Sequence, residues 1–146
     1  MTHRHEALAG FPVVVTFPLL WGDQDAFGHI NNVKYFRWLE TARVEYLIRA
    51  GLWVPLPPRD VAPILASVKC DYKRPLNYPD SVDVGARVTR IGNSSIQMAH
   101  AIVSHDLGMV VATADSTLVM LDYSTGKTVP VSAESRRIIG ELEGWS

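Results

Sequence analysis

The segment from Asp23 to Tyr35 reads DQDAFGHINNVKY and concentrates groups that can do chemistry. Two carboxylates, Asp23 and Asp25, a glycine, Gly28, a histidine, His29, and the pair Asn31 and Asn32 stand just ahead of residues with helical spacing. A helix N-terminus carries N–H groups with no intrahelical partner, and the helix dipole adds partial positive charge, so the end favours an anion or a developing oxyanion. A carboxylate a few residues upstream can face the same point in space. A base or nucleophile beside an oxyanion hole supplies two of the parts that acyl transfer needs.

Each residue also has a plainer role. Asp25 can head an Asx turn, and Asp23 fits a loop-folding or capping role better than a catalytic one. An Asp at its usual pKa of about 3.9 is a weak base; burial raises that value and a helix N-terminus lowers it. If Asp25 stays ionised, it either attacks an acyl carbonyl to give a mixed anhydride or activates a water. The imidazole of His29 can serve as a base, or shape the loop through a hydrogen bond. A calcium loop beginning at Asp23 is excluded, because Phe27 and Lys34 occupy its fifth and twelfth places.

Elsewhere the bland readings lead. Ser94 and Ser95 follow a glycine but do not complete G-x-S-x-G, which argues against a serine hydrolase. Cys70 and His100 fall on apolar strand faces, as a small core residue and a satisfied core histidine. Glu40 and Arg43 are spaced as an i,i+3 helix ion pair. Lys69, Lys73 and Arg74, with Arg87 and Arg90 nearby, form the one basic concentration, either a solvated face or a site for phosphates.

The elements that must hold these groups follow from periodicity. Val13 to Phe17 is a strand confined to an edge or bulge by Pro12 and Pro18. Asn31 and Asn32 are good N-caps for a helix of about 18 residues from Val33, with Phe36, Leu39 and Leu47 recurring alongside Tyr35, Ala42 and Tyr46, ended by Gly51. Ile64, Ala66, Val68, Cys70 and Tyr72 alternate with polar neighbours as a half-buried strand. Strands over 82–88, 96–103 and 110–121 follow, joined by short turns that make an antiparallel meander. A turn at Ser124-Thr125-Gly126-Lys127 and a short helix from Ser132 to Leu142 close the chain. One helix among five strands predicts an α+β layer rather than a parallel α/β fold.

At 146 residues the chain suits one domain, 1–146, with a polar extension over about 1–10. A net charge of −1 without a basic stripe argues against nucleic acid as a partner. The longest apolar run, Phe11 to Trp21, falls short of the ~20 residues a membrane helix needs, and no leader pattern opens the chain. A single cysteine excludes an internal disulfide, no cysteine or histidine spacing suits zinc, and a reducing, cytoplasmic setting is the expectation.

W-G-D-x-D-A-x-G-H-I-N-N-x-x-Y at Trp21 to Tyr35 and W-L-E-x-A-R at Trp38 to Arg43 resemble the 4-hydroxybenzoyl-CoA thioesterase-like branch of the hotdog-fold acyl-CoA thioesterases. D-Y-K-R-P-L at Asp71 to Leu76, G-N-S-S at Gly92 to Ser95 and D-x-x-x-G-K at Asp122 to Lys127 continue the resemblance. It implies a hotdog fold, a long helix wrapped by a five-stranded antiparallel sheet in the order 1-3-4-5-2. It also implies hydrolysis of an acyl-CoA to a free acid and coenzyme A, without metal or redox cofactor, in a homodimer or homotetramer. Asp25 becomes the catalytic carboxylate, the Asn32 amide the oxyanion donor, and Gly28 the point of close backbone approach, with His29 beside them. Ser95 of the G-x-S-S turn becomes a substrate contact, Tyr35 is a further candidate, and with coenzyme A in the substrate the basic residues Lys73 and Arg74 suit its phosphates. A hydratase or dehydratase built on Asp25 and His29, and a non-catalytic acyl-CoA-binding module, are the alternatives.

Overall fold

The computed structural model describes residues 4–53 and 60–145; residues 1–3 of the segment weighed as a leader lie outside it. The long helix, α1, runs Asn32–Arg49. Asn31 caps it by accepting the Val33 N–H at 3.0 Å, and the helix ends at Ala50 and Gly51, where Leu52 N–H returns to Leu47 O at 2.9 Å. Its buried residues, Tyr35, Trp38, Leu39, Ala42, Arg43, Tyr46 and Leu47, fall on one stripe of period 3.6. Phe36, expected in that stripe, lies at its margin and is exposed. Arg43 occupies the stripe itself, so the expected ion pair with Glu40 is not among the described residues' pairs, although the Glu40 charge still acts on it.

Five long strands wrap the helix: β1 (Val13–Pro18), β2 (Val61–Tyr72), β3 (Ser81–Ile91), β4 (Ser95–Ser104) and β5 (Met109–Asp122). All neighbours are antiparallel, in the order β1-β3-β4-β5-β2. That is the order the resemblance implies, with β1 at an edge as its flanking prolines require. A two-residue strand, β6 (Lys127–Thr128), adds to the five, because the turn after Asp122 brings the chain back along β5 before Pro130 removes the next donor. Even-numbered residues of β4 and β5, among them Ile96, Met98, Ile102, Ala112, Ala114 and Leu118, form the core with α1.

Two expectations fail for physical reasons. The alternation read into β2 breaks at a bulge between Leu65 and Ser67, and its outer edge has no neighbouring strand among the described residues. Ile64 and Leu65 are consequently exposed. The N-terminal segment is not a mere polar extension, since a single helical turn at Glu6–Leu8 lays Leu8 and Phe11 on the sheet face away from α1, against Ala101 and Val103. Gly85 makes room there: a Cβ on it would lie 2.7 Å from Phe11 Cγ. His5 fastens the segment, its Nδ1 accepting from Ala7 N–H at 3.0 Å while its Nε2 meets Gly108 O at 3.1 Å.

The C-terminal helix α2 (Ala133–Glu143) is capped by Ser132. The Glu143 carboxylate accepts from Tyr46 Oη at 2.5 Å and from Val88 N–H at 2.8 Å, beside a bulge in β3, and so ties α2 to both α1 and the sheet.

Candidate active site

Asp23 is the buried knot of the loop that leads into α1. Its carboxylate accepts from Leu20 N–H at 3.0 Å and pairs with Lys34 Nζ at 3.2 Å, and its carbonyl accepts from Asn31 N–H at 2.8 Å. The capping role expected of it is the one it fills. Asp25 N–H donates to His29 O at 2.7 Å, and Asp25 Oδ1 accepts from Phe27 N–H at 2.9 Å and His29 N–H at 3.3 Å. This closes a tight turn in which Gly28 sits at φ 81°, a conformation a side chain strongly disfavours. The turn-folding role expected of Asp25 falls to Oδ1, while Oδ2 has no partner among the described residues.

The amides of the first helical turn can be accounted for one by one. Val33 N–H goes to Asn31 Oδ1 and Lys34 N–H to Asn31 O. Asn32 N–H is left without a partner among the described residues. It is the amide the resemblance nominates as oxyanion donor.

A cavity of about 380 Å³ opens here, lined by Asp25, His29, Ile30, Asn32, Tyr35, Tyr72, Lys73, Arg74 and Pro75. Ile30 N–H bonds to Leu76 O at 2.9 Å, and this staples the loop to the chain that follows β2. Lys73 and Arg74 N–H both bond to Val111 O, so the chain leaving β2 brings these two cations to the cavity wall. Neither forms an ion pair among the described residues, whereas Lys69 pairs with Asp71 at 3.7 Å. Arg87 lies on the other face of the sheet, 4.7 Å over the Phe11 ring. Two of the five basic residues grouped by sequence thus reach the cavity.

Tyr35 forms the floor. It is buried edge-on to Tyr72 at 4.8 Å and against Trp38 at 5.2 Å, and burial pushes its hydroxyl up to about 12. The His29 ring has no partner among the described residues, so no imidazole–carboxylate dyad with Asp25 is formed. Ser95 is not brought to this cavity: it opens β4, at the end opposite Ser104, and its hydroxyl fills the space a Cβ on Gly92 would take. Cys70 is half-buried beside Tyr72, with burial pushing its thiol up.

His100 is a satisfied core histidine, as expected. Its ring nitrogens meet Gly85 O at 3.1 Å and Ser116 Oγ at 3.0 Å, and burial, with the Arg43 charge, pushes it down to about 4. A larger hollow of about 740 Å³ lies on the sheet face away from α1, but its polar groups are largely committed to one another, Asp83 to His105 at 2.9 Å and to Thr16 at 2.5 Å. Among the described residues no three His, Cys, Asp or Glu side chains are grouped to hold a metal.

The residue sequence reasoning missed is Tyr72, read only as an inward strand position. It lines the cavity, and its hydroxyl donates to Asn32 O at 3.1 Å. Its place in D-Y-K-R-P was the available signal.

One long helix wrapped by a curled antiparallel sheet is the fold of the hotdog thioesterases. The chain belongs to the Thioesterase-like superfamily, whose family model matches residues 19–139. It is 25% identical over 118 residues to the long-chain acyl-CoA thioesterase FadM of Escherichia coli, covering 81% of this chain and 89% of that protein. It is also similar to a thioesterase of Thermus thermophilus solved with coenzyme A and zinc, with 31% identity, a TM-score of 0.80, and 94% of this chain and 98% of the other covered. A DHNA-CoA thioesterase of Staphylococcus aureus, at 17% identity and a TM-score of 0.78 over 90% of this chain and 91% of the other, shares the fold.

Proposed function

We propose that the protein hydrolyses an acyl-CoA thioester to the free acid and coenzyme A. Asp25 acts as nucleophile or general base, and the Asn32 N–H receives the carbonyl oxygen as it gains charge. The carrying observation is that one cavity joins a carboxylate oxygen and a helix-terminal amide that are both unengaged among the described residues. As nucleophile, Asp25 displaces the thiolate of coenzyme A to give a mixed anhydride that water then opens. As base, it takes a proton from the water that attacks directly. In both routes the backbone donor is preorganised for the oxyanion and needs no reorganisation when charge develops. Gly28 lets the turn lie close to the substrate, and His29 shapes the mouth through its backbone. Lys73 and Arg74 hold phosphates of the coenzyme, and Tyr35 gives the site an apolar floor.

The working species is a homodimer or a dimer of dimers. Support comes from the open edge of β2 with Ile64 and Leu65 exposed, and from Val33 and Phe36 exposed on the first turns of α1. Ser95 of a second copy then completes the cavity. The single Cys70 favours a reducing, cytoplasmic setting.

The test is thiol release from a panel of straight-chain and aromatic acyl-CoAs. Free coenzyme A appearing with at least one member is the expected result. Binding without release would assign a non-catalytic module, and change at the acyl β-carbon without release a hydratase.

A further inference from the structure

The Tyr72 side chain joins the end of β2 to the start of α1. Tyr72 Oη donates to the Asn32 carbonyl at 3.1 Å. A carbonyl in the first turn of a helix already takes the N–H four residues on, so this bond is additional to the helix's own. We propose that Tyr72 is a positioning residue for the oxyanion donor, its hydroxyl holding Asn32 so that the open N–H faces the substrate carbonyl. This rests on the reading of the Asn32 amide given above.

The effect is one of geometry and not of polarisation. The Asn32 carbonyl belongs to the Asn32–Val33 peptide, whose N–H is already given to Asn31 Oδ1. The Asn32 N–H belongs to the preceding peptide, so electron withdrawal by Tyr72 does not reach it directly. The preceding residue has its own anchor, because Asn31 N–H is held by the Asp23 carbonyl at 2.8 Å. On the other side of the amide, Tyr72 is the side chain among the described residues that grips Asn32.

Tyr72 is itself well placed to act as a fixed post. The backbone after it is pinned twice to Val111 O, by Lys73 and by Arg74. Its ring stands edge-on to Tyr35 at 82°, and Tyr35 packs on Trp38 in the core. A tyrosine hydroxyl titrates near 10, so at neutral pH it is protonated and able to donate; burial and the neighbouring Cys70 push it further up, to about 12. The residue as a whole is 39% exposed. A bond from this fixed ring to the residue bearing the donor fits a positioning role.

The experiment is Tyr72→Phe in the full chain, assayed with the acyl-CoA the parent turns over fastest. The ring and its packing are kept. Expected is a fall in kcat of roughly tenfold with KM within about twofold, as for a group that acts on the transition state, and an unchanged thermal midpoint. A second readout uses the same substrate with a ¹³C-labelled thioester carbonyl, bound to Asp25→Asn protein. Its infrared carbonyl stretch is expected below the solution value, and adding Tyr72→Phe is expected to return it part of the way. Turnover of Tyr72→Phe within about twofold of the parent would overturn the inference, as would an unmoved carbonyl stretch. A loss as large as that of Asp25→Asn would also overturn it, since the hydroxyl would then be a direct donor. A parent that releases no thiol from any acyl-CoA sinks the proposed function and this inference together, whereas an active parent beside an unaffected Tyr72→Phe sinks only the inference.

Discussion

His100 should make the fold acid-sensitive by an amount that follows from its surroundings. The ring is 2% exposed between β4, β3 and β5, and it meets Gly85 O and Ser116 Oγ. The charged group facing it is Arg43 of α1, and together with burial it pushes the imidazole from 6.5 down to about 4. The folded value lies below the unfolded one, so between the two the unfolded chain binds the extra proton. Stability from this group is complete above about pH 6.5 and is lost progressively as the pH falls towards 4. At roughly 1.4 kcal/mol per pH unit, that span is worth ~3 kcal/mol, a large part of the stability of an ordinary domain. The perturbation is His100→Gln, which keeps an amide donor for Gly85 O and an acceptor for Ser116 but cannot titrate. Urea unfolding at one fixed protein concentration, repeated from about pH 8 to about pH 4.5, gives the two stability curves. The difference between them isolates His100 from the carboxylates and the exposed histidines. The parent is expected to lose most of ~3 kcal/mol more than the variant across the window, whatever the substitution costs at the alkaline end. Parallel curves would refute the reasoning.

Two further outcomes concern the cavity and its completion. Replacing Lys73 and Arg74 together with Ala is expected to raise KM for acyl-CoA and flatten its salt dependence, with kcat little changed, because exposed phosphate contacts are screened over a Debye length of about 8 Å and are the same in ground and transition states. A collapse of kcat at constant KM would show that these residues serve the fold or the chemistry instead. Sedimentation is expected to find an even-numbered oligomer at assay concentration, and a fully active monomer would contradict the shared cavity.

The sequence was most legible where local chemistry decides the structure. Asn31 as cap, Gly51 as stop, the prolines that keep β1 at an edge and the apolar face around His100 follow from backbone and burial rules that operate within a few residues. The strand order came from the resemblance, since antiparallel periodicity does not say which edges meet. What was illegible depended on distant packing. Leu8 and Phe11 find cover because β3 has a glycine at position 85, and Arg43 is buried because α1 presents it to the sheet instead of to solvent. The bulge in β2 resets its faces without a sequence signal strong enough to place it. In the site, Asp25, His29 and Asn32 of the motif and Lys73 and Arg74 of the basic concentration line one cavity. Ser95 did not, because it stands at the opposite end of β4 within one chain. Tyr72 was overlooked because a strand pattern records which face a side chain takes, and not the helix end its hydroxyl reaches.

The most direct test of Asp25 as the reacting carboxylate is the turnover of Asp25→Asn beside the parent, followed by thiol release on the parent's best acyl-CoA. The amide keeps an oxygen to accept from Phe27 and His29 N–H, so the turn and the thermal midpoint should survive. Turnover is expected to fall by roughly 10²–10⁴-fold, the range for loss of a positioned proton-transfer group. A folded Asp25→Asn protein within a few fold of the parent would contradict the assignment.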